Sequence, residues 1–318
     1  MTEQTRSEIH EPLVRKGSLA RLYDNNFVFD FLHSPTAIIA TIVLLGFVMA
    51  ALFPDLVAPS PVFDLNEINL MDSFLPPFWI DGHDPRFLLG TDDQGRDMIS
   101  AIIYGIRVSL FVGVAGVFLA LVLGVTLGLF AGFIGGWVDN IIMRVADVQL
   151  TFPAILIAVM IDGVSRASFG QGEHEQIAAF VLIVAIGLSG WVQYARAVRG
   201  ATMIERRREY VEAATLIGVR TPTILFKHIL PNVMTSVLVI ATIHLAIAII
   251  LEATLSFVGL GIPPTKPSLG TLIRIGNSYL FSGEWWIAIM PGTALVVLVL
   301  AINLLGDFLR DALDPRLK

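Results

Sequence analysis

The chain contains no cysteine, so disulfide frameworks, thiolate metal sites and cysteine nucleophiles are excluded from its 318 residues. Charge is scarce too. Only 15% of residues are Asp, Glu, Lys or Arg, against about 25% in an ordinary soluble domain, too few to clothe a fold in water. The net charge of -6 supplies no overall basic field for nucleic acid. No G-x-x-x-x-G-K-[ST] phosphate loop is present, and no serine sits in a G-x-S-x-G elbow. The histidines at 10, 33, 83, 174, 228 and 244 form no H-E-x-x-H or other compact ligand set. What the chain has in quantity is apolar side chains, 55% of the total. The composition predicts an all-α polytopic membrane protein.

About 20 apolar residues of helix cross the hydrocarbon core. Six segments qualify: 36–53, 108–136, 140–161, 177–195, 233–251 and 285–306. The second is uncharged for 29 residues, roughly 44 Å of helix, and must tilt or project beyond the bilayer. The third contains Arg144 and Asp147, placed at i,i+3 where they can pair. With six spans and a cytoplasmic N-terminus, the inner pieces 1–35, 137–147, 196–232 and 307–318 carry 4, 1, 7 and 3 Lys+Arg, fifteen of the twenty-one. The positive-inside bias selects this orientation. No clear small-x-small cleavage site follows 36–53, so a permanent first span is expected in place of a signal peptide. The preceding 19–32 mixes apolar and charged residues, as an interfacial helix does, although a partly disordered tail reads as well.

Several features lie within or between the spans. The external segment 54–107 is proline-rich and has nine carboxylates, too long for a plain loop. Its Asp92, Asp93 and Asp97 lack the spacing of a calcium loop and are read as a solvated turn with helix-capping aspartates. Gly116, Ala120, Gly124, Gly128 and Gly132 recur at every fourth position, a smooth stripe for close helix packing. His244 lies near mid-membrane and is read as a neutral imidazole bonded within the bundle. Glu252 falls toward the outer interface, where a structural or cavity-rim role competes with contact to a permeating solute. Both are possible translocation-path residues. The glycine- and proline-broken stretch 256–286 is read as dipping against the bundle.

The segment 196–232 is basic and long. Residues 203–217 have helix-forming composition, Gly218 follows as a breaker, and Thr221-Pro222 opens a second short helix to about 229, with Pro231 before the next span. Glu212-Ala213-Ala214, three residues, Gly218, then Leu230-Pro231 resembles the EAA loop of ABC importer membrane subunits. His228 stands where that pattern has isoleucine. The stretches at 88–110, 135–147 and 256–264, and the terminal GDFLRDALDPRLK, are similar to C-type permease subunits of the dipeptide/oligopeptide/nickel family.

That resemblance implies a type I ABC importer permease fold, with a core over 108–306 and a coupling loop at 196–232. In such a subunit Glu212, Ala213, Ala214, Gly218, Leu230 and Pro231 would engage a cytoplasmic ATPase. Ala213 and Ala214 would let the helix seat closely, and Gly218 would make the turn. The resemblance further implies a homologous second permease, two ATPase subunits that bind ATP and Mg, and a periplasmic solute-binding protein. It places the chain in the bacterial inner membrane with both termini cytoplasmic, a transport subunit with no cofactor and no enzymatic activity of its own. Peptides are the implied solute, with nickel chelates, opines, glutathione and oligosaccharides open. An intramembrane enzyme would need paired groups at equal depth, whereas Asp147 and Glu252 lie toward opposite faces. A self-sufficient ion-coupled carrier would transport as a single chain without ATP.

Overall fold

A computed structural model describes residues 26–60, 62, 69–169 and 171–313. Expectations for the tail 1–25, for 63–68 of the external segment and for 314–318 lie outside the described residues. The principal helices are α1 (Asn26–Leu32), α2 (Pro35–Leu52), α3 (Met98–Ile134), α4 (Gly136–Leu150), α5 (Ala154–Ser168), α6 (Gln171–Glu205), α7 (Glu209–Leu216), α8 (Leu230–Val258), α9 (Leu269–Asn277) and α10 (Trp286–Leu313). An isolated bridge between Thr91 and Asp97 is the β pairing found among the described residues. Among the described residues, five helices are long and apolar enough to cross a membrane: α2, α3, α6, the continuous run Thr221–Val258 and α10. The pair α4 and α5 makes a sixth if the two count as one broken span.

The helix α3 starts at Met98, ten residues before the uncharged run used to place the span. Hydropathy ends at Arg107, but helix formation does not. The Asp97 carboxylate accepts from the Ser100 backbone N–H at 2.8 Å and caps the first turn. The 37 residues of α3 make about 55 Å of helix, well beyond the roughly 30 Å of a hydrocarbon core.

Along the other end of α3, the small residues lie against α6. A Cβ on Gly128 would sit 2.6 Å from the Ala195 carbonyl oxygen, and one on Gly132 would sit 2.7 Å from that of Arg199. Gly124 meets the Trp191 carbonyl more closely still, and Ala120 is fully buried. Gly116 faces Ile186. Helix backbones thus touch over about two turns, from Gly124 to Gly132, the geometry that small residues permit where lipid gives no hydrophobic drive for association.

The third span is not a straight helix. The chain bends by 91° between α4 and α5. Pro153 lacks an N–H and disfavours helical geometry at Phe152, while the Thr151 hydroxyl donates to the Val148 carbonyl at 2.6 Å and closes α4. The ion pair expected within this span also differs. Asp147 pairs with Arg196 of α6 at 2.6 Å instead of with Arg144, because α6 runs alongside and brings a guanidinium closer than the next turn does.

The aspartates at 92–97 are not solvated. Asp92, Arg96 and Asp97 are all buried. Asp92 bonds Arg96 Nε at 2.6 Å and accepts the backbone N–H groups of Gln94 and Arg96 at 2.9 Å, folding the turn on itself. Burial pushes the Asp93 carboxyl up from its ordinary value, and the neighbouring Asp92 charge adds to the effect. The turn is locked to the last span by Trp286 Nε1, which donates to the Thr91 carbonyl at 3.1 Å. Replacing Gly128 with valine should force α3 and α6 apart. The expected cost is about 3 kcal/mol, read as a lowered midpoint in reversible unfolding of the reconstituted protein, while Gly163→Val, in open space, should leave it within error.

Candidate functional site

The C-terminal end of α6 leads Arg206, Arg207 and Arg208 into a turn, after which α7 runs from Glu209 to Leu216. The helix expected over 203–217 is therefore two helices with a break at those arginines. Glu209 and Glu212 lie in the first turn of α7, where the helix dipole favours them. The other end is closed by a Schellman motif. The Val219 N–H reaches the Ala214 carbonyl at 3.0 Å, and the Gly218 N–H reaches that of Thr215 at 3.1 Å. Gly218 has φ +80°, in the left-handed region that a Cβ penalises.

One face of α7 is sewn to the bundle. Val211 and Ala214 are buried with Leu129, Tyr194, Ile224, Leu225 and Ile229. Glu212, Ala213, Leu216 and Ile217 face outward, and the last two are 87% and 80% exposed. Ala214 thus packs inward on its own chain, so of the two alanines only Ala213 offers a small exposed surface. Leu216 and Ile217 were not singled out by motif reasoning. Their signal was an apolar pair at the tip of an otherwise polar loop, immediately before the turn glycine.

The second short helix is not a separate element. Thr221–Thr223 continues through a π-helical stretch, Ile224–Ile229, directly into α8. Pro231 explains the wide turn. It has no N–H to return to the carbonyl four residues back, and the ladder widens by one residue to pass it. The Leu230 N–H bonds the Leu225 carbonyl instead, and Asn232 Nδ2 donates to the His228 carbonyl at 3.0 Å. Leu230 is half-buried and Pro231 exposed, both inside this helical run.

Two polar ties fix the loop to its flanks. Tyr210 donates its hydroxyl to Glu205 at 2.6 Å and accepts from Asn232 Nδ2 at 2.9 Å, bridging α6, α7 and α8. Burial pushes the Tyr210 phenol up, and the bond to Glu205 adds to this. Arg199 grips Asp139 of α4 with Nε and Nη2 at 2.5 and 2.6 Å. Below α7 opens a cavity of about 800 Å³ bordered by Gly132, Phe133, Arg206, Glu212, Leu216 and Ile224. The Arg206 guanidinium stands 5.4 Å over the Phe133 ring.

The membrane residues sit elsewhere. His244 is buried against Gly190 and takes part in a 3.0 Å hydrogen bond between its Nδ1 and the Tyr194 hydroxyl. Glu252 is fully buried rather than at a cavity rim. Its depth along α8 does not decide exposure, because α3 and the segment after α8 close over it. Neither residue joins the loop site, and neither borders the cavity under α7 or the apolar cavity lined by Phe111 and Ile262. No group of three His, Asp or Glu suited to a metal occurs among the described residues.

Residues 124–318 match the family model described as the binding-protein-dependent transport system inner membrane component. The chain is 39% identical to a di/tripeptide transport system permease protein DppC of Pseudomonas aeruginosa, over 91% of both chains. It is 37% identical to a dipeptide transport system permease protein DppC of Haemophilus influenzae, covering 92% of this chain and 94% of that one. A glutathione transport system permease protein GsiD of Pectobacterium atrosepticum is 34% identical, with 96% and 95% covered. Among solved structures, a chain of the MetNI methionine ABC transporter in an inward-facing conformation superposes with TM-score 0.53 at 22% identity, covering 68% of this chain and 97% of that one. The likeness at that identity is one of fold.

Gly218→Val should strain the turn by about 1–2 kcal/mol. Amide exchange across 209–219 is expected to accelerate roughly tenfold, with exchange in α3 unchanged.

Proposed function

The chain belongs to the family of binding-protein-dependent inner-membrane transport components, and from that premise we propose that it is the permease subunit of an ATP-driven importer of di- and oligopeptides, worked through α7. The fold is that of an ABC importer membrane subunit. Its solute path would form between this chain and a homologous second permease. Two cytoplasmic ATPases would supply ATP hydrolysis, since no phosphate loop occurs in this sequence. A periplasmic binding protein would deliver the peptide. Both termini and the loop would face the cytoplasm, in keeping with the arginine-rich 196–208.

The observation that carries this reading is the shape of α7. A rigidly capped two-turn helix presents Glu212, Ala213, Leu216 and Ile217 outward while its opposite face is built into the bundle. Two adjacent apolar side chains left in water at a helix tip favour a protein partner. Covering them would contribute about 1.5–3 kcal/mol each. Because the capped turn at Gly218 joins α7 to the run Thr221–Val258, which is continuous into α8, displacement of α7 by an ATPase would pass to a membrane helix.

Glutathione is the second reading, favoured by the GsiD relative; the molecule is itself a tripeptide, so the chemistry overlaps. Reconstitution of the chain with a second permease, both ATPases and the binding protein should give ATP-dependent uptake of labelled dipeptide. Competition by excess glutathione measures the second reading. Glu212→Lys or Leu216→Asp should abolish uptake and capture of the ATPase while membrane insertion is retained. Peptide uptake by the purified chain alone without ATP, or wild-type uptake by both variants, would overturn the assignment.

A further inference from the structure

A buried polar knot joins the membrane helices to the outer cap, and the coupling mechanism makes no use of it. Glu252 of α8 is fully buried. Its Oε2 accepts from Ser109 Oγ of α3 at 2.7 Å, and its Oε1 accepts from Ser256 Oγ one turn on, also at 2.7 Å. The Ser268 hydroxyl is directed at the same carboxyl group. Each of the first two serine oxygens also receives a backbone N–H from the segment that follows α8. Ser109 Oγ accepts from Leu269 and Ser256 Oγ accepts from Ile262, both at 3.3 Å. A hydroxyl has one proton to give. With an N–H arriving at each oxygen, both protons go to the glutamate.

The segment is seated tightly. Gly270 lies on the Ala253 backbone, leaving no room for a side chain, and Gly105 packs closely on Leu269 and Leu272. Two further donors hold it from outside: Arg166 Nη2 reaches the Gly259 carbonyl at 3.2 Å, and Arg96 Nη1 reaches that of Pro264 at 3.4 Å. Held in this way, Ile262, Pro263, Thr265 and Lys266 form one wall of an apolar cavity of about 1090 Å³, opposite Arg107 and Phe111 of α3.

We propose that Glu252 is the positioning residue for this wall. It pins the segment Gly259–Asn277 to α3 and α8 at once and so fixes the shape of the outer cavity during transport. The hold itself follows from the geometry; its bearing on solute rests on the permease reading. Hydrogen-bond polarity makes the position specific. Glutamine would turn an N–H₂ toward one serine, whose own proton would then lose its acceptor inside the protein. Aspartate keeps two acceptors but, one methylene shorter, reaches only part of the knot.

The test is hydrogen exchange on the full chain, assembled with its partner subunits in nanodiscs, with uptake and ATP hydrolysis measured in parallel. Glu252→Ala and Glu252→Gln should each raise exchange at the Ile262 and Leu269 amides about tenfold, with 111–130 unchanged, and Glu252→Asp should fall between. Ser109→Ala, a milder change, should raise exchange at Leu269 several-fold. Uptake should show a raised KM for peptide while ATP hydrolysis persists. Wild-type exchange in Glu252→Gln, an even rise over all helices, or lost uptake with an unaltered segment would each overturn the proposal. If the wild-type complex takes up no peptide, the permease reading falls, and the exchange result still decides whether Glu252 holds the segment.

Discussion

Backbone contact between α3 and α6 is the constraint on which the other elements depend. Lipid offers helices no hydrophobic reward for association, so packing must come from close approach. Gly124, Gly128 and Gly132 allow the two backbones to touch in the C-terminal half of α3. Because α6 is continuous from Gln171 to Glu205, fixing it on α3 also fixes where Arg206–Arg208 emerge and where α7 begins. The position of the loop is thus set inside the membrane, several turns from the loop itself.

From there the chain has few soft joints. Tyr210 links α6 to α8 through Glu205 and Asn232, the Schellman cap fixes the turn at Gly218, and the π stretch carries the chain past Pro231 without interrupting the helix. A force applied at Leu216 or Ile217 meets one stiff path into α8. The bend between α4 and α5 contrasts with this: broken backbone at membrane depth is tolerated where protein or a water-filled cavity covers it. The sharp bend at Thr151–Pro153 therefore marks a face that lipid alone would serve poorly.

Polar side chains within the spans are spent on internal contacts. His244 meets Tyr194, and Trp191 Nε1 donates to Gln149 at 2.7 Å, while Gln149 in turn donates to the Leu188 carbonyl. Glu252 is satisfied by serines of two helices. These groups join helices where dispersion between smooth apolar faces would leave rotation and height free.

The sequence by itself determined the membrane class, the approximate spans and the loop with its turn glycine. Each rests on local properties: apolar length, four-residue spacing and the backbone preference of glycine. Helix ends were less legible. Asp97 was legible as a capping aspartate, but the start of α3 and the break at Pro153 were not, because hydropathy registers neither a helix start nor a bend. Only the tertiary structure decided which charges pair and which residues are enclosed. Asp147 takes Arg196 rather than Arg144, Ala214 turns inward while Ala213 does not, and Glu252 is sealed by α3 and the segment after α8. Partners such as Ser109 for Glu252 lie 143 residues apart in the chain. No spacing rule spans that distance, because the pairing exists only once separate helices have packed.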